Sequence, residues 1–150
     1  DVRWKASAAL GQMGVAAVPG LAAALLDRDA EVRRCAAESL DRLGSLARDA
    51  ARTLTSALRD EDVVVRRSAA SALGRIAESS PEIVRGLAQA VRDTDTDVRR
   101  NAAVALGRLG TAAVEALPQL QQAASDKSEK VRKAASAAIS KVVEEPRHAA

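Results

Sequence analysis

Asp27, Asp60, Asp93 and Asp126 stand 33 residues apart, and each lies five residues before a Val-Arg pair. Those pairs begin at Val32, Val65, Val98 and Val131, and a fifth copy begins at Val2. Small residues follow in every copy, and a leucine or isoleucine fills the eighth position after the valine: Leu10, Leu40, Leu73, Leu106 and Ile139. A period of this length marks stacked units, each burying its apolar face only against its neighbours. The 150 residues therefore count repeats, giving one array over 1–145 and a tail over 146–150 that lacks the period and is expected to fray.

Each copy is a box with helical spacing, as in Val2, Ala6, Ala9, Leu10 and Met13, which share one face of a 3.6-residue helix. Boxes fall near 1–14, 31–44, 64–77, 97–110 and 129–143. Between them the spacing predicts a second helix per unit, from Pro19 to Leu26, over 47–59, from Pro81 to Arg92 and over 112–125. About nine helices and no sheet are expected, an all-α solenoid of stacked helix pairs. Trp4 is the only aromatic residue, so the core must be built from Ala, Leu, Val and Ile. Acidic residues gather at the turns before the boxes (Asp29, Glu31, Glu61, Asp62, Asp95, Asp97, Glu129), where they cap N–H groups and suit the helix dipole. Gly14, Gly44 and Gly110 stand where left-handed helix stops are needed.

The period of 33, the Asp before the turn, the Val-Arg opening and the run Ala102-Ala103-Val104-Ala105-Leu106-Gly107 resemble HEAT repeats, more narrowly the short bacterial repeats of phycobilisome-lyase-like proteins. The resemblance covers residues 1 to about 143. It implies a right-handed superhelix with the box helices on its concave face. It also implies a ladder in which Asp27, Asp60, Asp93 and Asp126 pair with Arg33, Arg66, Arg99 and Arg132, or with the same arginines one repeat away. Arg66→Ala or Arg99→Ala is then expected to destabilise the chain.

Catalytic chemistry finds little footing. The one histidine, His148, lies in the tail and has no second member for a triad or a multi-histidine metal site. Gly11 to Gly14 and Gly107 to Gly110 lack the Lys-Ser/Thr of a phosphate loop. No enzyme activity, cofactor or metal is expected. Cys35 sits about 60° from the apolar face of its box, as a partly buried small residue would. Trp4 has two readings, a partner anchor or a residue packed beneath a preceding helix. No apolar run reaches the ~20 residues of a membrane span and no leader is visible, so a soluble, cytoplasmic chain is expected.

The charge balance is only +3, so its distribution carries the information. With Val32 at 0° on a helical wheel, Ala36, Leu40 and Leu43 cluster at about 20° to 80°, and residues 34, 38 and 42 point the opposite way. The outward columns read Arg34-Glu38-Arg42, Arg67-Ser71-Arg75, Arg100-Val104-Arg108 and Lys133-Ala137-Lys141, after Trp4-Ala8-Gln12 in the first box. Two rows of basic residues result, ~12 Å apart along each helix. One reading is a solvated face rich in arginine because arginine suits helices; the other is an anion-binding face. On the second, Arg34, Arg42, Arg67, Arg75, Arg100, Arg108, Lys133 and Lys141, with Trp4, are the expected contacts for an acidic protein or peptide. Reversing Arg67 and Arg100 to Glu should then leave the fold intact. Nucleic-acid backbone, a bilin-lyase-like subunit, an engineered array without natural ligand and self-association through the solenoid ends are the alternatives. The lack of interleaved aromatics argues against sequence-specific reading of single strands.

Overall fold

A computed structural model describes residues 14–144. Among these, eight α-helices and three 3-10 segments occur and no strand does. The box helices are α2 (Ala30–Leu43), α4 (Val63–Ile76), α6 (Thr96–Leu109) and α8 (Glu129–Val143). The intervening helices are α1 (Val18–Ala24), α3 (Ala51–Ala57), α5 (Pro81–Ala90) and α7 (Leu117–Ala123). Eight of the about nine expected helices fall in the described residues, and the first box, with Trp4, lies outside them.

Each box helix packs chiefly on the next, so α2, α4, α6 and α8 form one continuous layer, and the shorter helices lie against it as the second. The core repeats with the sequence. Leu21, Leu54, Leu87 and Leu120, spaced 33 apart, are fully buried from the short-helix layer, and Leu40, Leu73 and Leu106 meet them from the boxes. Alanines fill the remainder, and their size brings helices close. A Cβ built on Gly74 would lie 3.1 Å from the Ala105 Cα, and one on Gly107 would lie 3.0 Å from the Ala138 Cα.

The helices expected over 47–59 and 112–125 are shorter than predicted, because 3-10 segments occupy Gly44–Ala50 and Gly110–Ala116. Each contains a non-helical turn at a buried alanine, Ala47 or Ala113. At the second of these, Pro118 fixes the break, since its ring would collide with the carbonyl four residues earlier in a continuous helix. The stops themselves fall where expected. Gly44 (φ 57°, ψ −128°) and Gly110 (φ 61°, ψ −137°) adopt backbone angles close to a region that only glycine visits readily.

The middle unit departs from this pattern. Ala77 takes the left-handed conformation itself (φ 53°, ψ 31°), a short non-helical stretch follows, and Ser80 caps α5 by accepting from the Ile83 N–H. Pro81 then opens the longest of the four short-layer helices.

Candidate interaction face

The turns before the boxes are held by carboxylates in two ranks. Asp29, Asp62 and Asp95 are N-caps: Asp29 accepts from the Glu31 N–H, Asp62 from those of Val64 and Val65, and Asp95 from those of Asp97 and Val98. The other rank is the 33-residue series. Asp27, Asp60, Asp93 and Asp126 each accept from the backbone N–H two residues on, at 2.8–2.9 Å.

Arginines from the preceding unit close on both ranks. Arg33 Nε and Nη2 donate to the Asp60 carboxylate at 2.9 and 3.2 Å, Arg66 to Asp93 at 3.0 and 3.3 Å, and Arg99 to Asp126 at 2.9 and 3.2 Å. The Nη1 of each turns back onto two carbonyls of its own turn, Asp27 and Arg28, Asp60 and Glu61, or Asp93 and Thr94. Of the two pairings left open by sequence, the bonds run to the Asp one repeat onward. Arg132 keeps the carbonyl bonds, to Asp126 and Lys127.

A second rung lies beside the first and sequence reasoning missed it. Arg34 donates to Asp62 at 2.7 Å, and Arg67 holds Asp95 through two bonds at 2.9 and 2.6 Å. Both arginines were expected as contact residues with open charge; their side chains are only 39% and 40% exposed, and the charge is compensated. The expectation that reversing Arg67 leaves the fold unaffected is corrected accordingly, because a glutamate there would face Asp95 and Asp97. The signal was present in the Arg-Arg doublets at 33–34, 66–67 and 99–100 and the Asp-x-Asp pairs at 60–62 and 93–95. In the next pair the second acid is missing: residue 128, the counterpart of Asp62 and Asp95, is serine. Its side chain makes no capping bond.

These pairings set the electrostatics. The Arg34 guanidinium and two backbone N–H groups hold the Asp62 carboxyl below the ordinary range, and Arg67 does the same for Asp95 more strongly. For Asp126, burial pushes upward, but Arg99 and the Ser128 N–H outweigh it and the net direction is down.

The rest of the outward face is as the wheel placed it. Arg42, Arg75, Arg100, Arg108, Lys133 and Lys141 are exposed. Arg42 lies 3.8 Å from Glu38, Arg75 lies 3.1 Å from Asp41, and Lys133 lies 2.8 Å from Glu129. Arg100, Arg108 and Lys141 have no ion-pair partner among the described residues. Cys35, expected to be partly buried, is buried outright. On the other layer a groove of about 610 Å³ lies between α3 and α5, lined by Arg52, Thr55, Glu78, Glu82, Arg85 and Gln89. It was not anticipated from the repeat pattern, whose spacing says nothing of how far apart neighbouring short helices stand. No group of three or more potential metal ligands occurs among the described residues. No helix among them is long and apolar enough to cross a membrane.

The family model described as HEAT repeats matches residues 1–74 and 83–150. The chain is a HEAT-repeat protein. The gap in the match, 75–82, spans the left-handed Ala77 and the irregular start of α5. No curated protein matches this HEAT-repeat chain. Solved structures do. A chain from the complex of CpcE and CpcF of phycocyanin lyase from Nostoc sp. PCC7120 is 30% identical, with a TM-score of 0.75 over 96% of this chain and 60% of that one. An engineered protein is 28% identical, with a TM-score of 0.74 over 85% of this chain and 62% of its own. A designed armadillo repeat protein in complex with peptide (KR)4 shares the fold at 23% identity, TM-score 0.74, over 85% of this chain and 64% of the other. The chain spans less than two thirds of the length of each.

Proposed function

We propose that this HEAT-repeat protein is a non-enzymatic interaction scaffold whose box-helix face binds an acidic segment of a partner protein. The observation that carries this reading is the recurrence of exposed cations at one register on four stacked helices, Arg42 on α2, Arg75 on α4, Arg108 on α6 and Lys141 on α8, with Arg100 and Lys133 in the second row on α6 and α8. Stacking turns that register into a surface, and a surface of one sign recruits the opposite sign. The designed armadillo structure holding (KR)4 shows a solenoid of the same general build carrying a charged peptide. Here the side chains that face out are themselves basic, so the complementary peptide is acidic.

Fluorescence anisotropy of a labelled glutamate-rich peptide tests this, beside a neutral peptide and duplex DNA over a range of salt. Binding of the acidic peptide that weakens with salt, without binding of the neutral one, supports the scaffold reading. Preference for duplex DNA would move the partner to nucleic acid.

A second reading rests on the 30% identity to the phycocyanin lyase chain, under which this protein is one subunit of a lyase. A change in bilin absorbance on mixing with the protein would favour it over the scaffold.

A further inference from the structure

The two halves of the box-helix face differ in charge compensation, although the cations recur evenly along it. On α2 and α4 every outward arginine has a carboxylate: Arg34 has Glu31 and Asp62, Arg42 has Glu38, Arg67 has Asp95 and Asp97, and Arg75 has Asp41. Four guanidinium groups there face six acids. Among the outward cations of α6 and α8 the one ion pair within the described residues is Lys133 with Glu129, an exposed contact within one helix.

Two columns of the repeat account for this. Where Asp62 and Asp95 receive Arg34 and Arg67 from 28 residues earlier, the acceptor due to Arg100 is Ser128. Where Asp41 receives Arg75, the next two boxes carry Gly74 and Gly107, so Arg108 and Lys141 find no acid at that position.

Resting on the scaffold reading above, we infer that the binding determinant is this C-terminal half alone, the unpaired cations Arg100, Arg108 and Lys141 on α6 and α8, and that its occupant is an extended acidic peptide. A cation already held by a neighbouring carboxylate has little attraction left for a partner, whereas an uncompensated one retains its field.

The dimensions fit a peptide. Arg100 and Arg108 are eight residues apart on one helix, ~12 Å, which an extended chain rising ~3.3 Å per residue covers in three to four residues. Acids at that spacing reach both rows. Between the rows the floor is Val104, half-buried, and Ala137, exposed, which let a backbone approach closely. At the far row the Lys141 stem lies against α6, with its Cδ 3.6 Å from where a Cβ built on Gly107 would stand. Three unpaired cations over so small an area would neutralise few phosphates, so any duplex binding there would carry a shallow salt slope.

The structure also supplies its own neutralising variant. Ser128→Asp restores the acceptor that the other units carry, pairs Arg100 and caps α8, so it removes binding charge while supporting the fold. The test is anisotropy of the labelled glutamate-rich peptide with wild type, Arg42→Gln/Arg75→Gln, Arg100→Gln/Arg108→Gln and Ser128→Asp. Expected are about a tenfold loss for the Arg100/Arg108 variant, less than twofold for the Arg42/Arg75 variant, and about threefold for Ser128→Asp with a raised melting temperature. Equal losses for the two arginine pairs, or unchanged affinity in Ser128→Asp, would overturn the localisation and leave the scaffold reading standing. Absence of wild-type binding at low salt would remove the scaffold reading itself. Tighter binding of duplex DNA than of the peptide would show the occupant to be wrong.

Discussion

At the scale of single residues, the chain uses the same side chain for two tasks wherever it can. Asp95 caps α6 through two N–H groups and also accepts Arg67, and the guanidinium is the larger influence on its carboxyl. Asp62 repeats the arrangement, and Asp126 is held by Arg99 and the Ser128 N–H. All three have pKa values below those of an unfolded chain. A carboxyl depressed by folding stabilises above its unfolded value, about pH 4, and loses that contribution as the pH falls toward the folded value. The melting temperature should therefore be level near neutrality and drop below about pH 4. Asp95→Asn should melt lower at neutral pH and show a shallower acid decline; a decline parallel to wild type would place the sensitivity elsewhere. Backbone conformation gives a second prediction. Ala77 is the only residue other than glycine with positive φ among the described residues, and it stands where two other units carry Gly44 and Gly110. Ala77→Gly should stabilise by about 0.5–1 kcal/mol, and Gly110→Ala should destabilise by about 1–2 kcal/mol, both read from denaturant midpoints.

Between elements, the arginine ladder does what apolar packing of alanines cannot do with direction. Arg99 is 6% exposed and carries one unit's carbonyls and the next unit's carboxylate at once. Arg99→Ala would leave Asp126 part-buried without its guanidinium and two carbonyls without donors, a cost of about 2–3 kcal/mol in chemical denaturation. Arg132→Ala, at an exposed position bonded only to carbonyls of its own turn, should cost well under half of that. This contrast also marks what was readable in the sequence. The four described box helices, the stops at Gly44 and Gly110 and the caps Asp29, Asp62 and Asp95 obey rules that act within a few residues, and they stand where those rules put them. The second rung does not announce itself that way. Asp62 and Asp95 already had a complete local explanation as caps, and the reach of Arg34 and Arg67 depends on how one helix is offset against the next. The groove between α3 and α5 was hidden for a related reason, because its walls come from helices of different units.

For the whole molecule, the ladder means that neighbouring units are tied by bonds of one fixed span. Arg33 to Asp60, Arg66 to Asp93 and Arg99 to Asp126 all cover 27 residues, and Arg34 to Asp62 and Arg67 to Asp95 cover 28. Excising residues 61–93 therefore brings Asp60 next to Thr94 and Asp95, which restores an Asp-x-Asp pair opposite Arg33 and Arg34. The shortened chain should keep a single cooperative melt and the same helical signal per residue by circular dichroism. Excising 61–92 instead leaves Asp93 directly after Asp60 and puts the second acceptor one residue out of phase, so that chain should melt earlier and less sharply. A lineage of such molecules can gain or lose a whole unit in one recombination event and still present a finished seam. Spacing is under constraint and length is not, and a span of six or eight units would need no junction that this chain does not already contain.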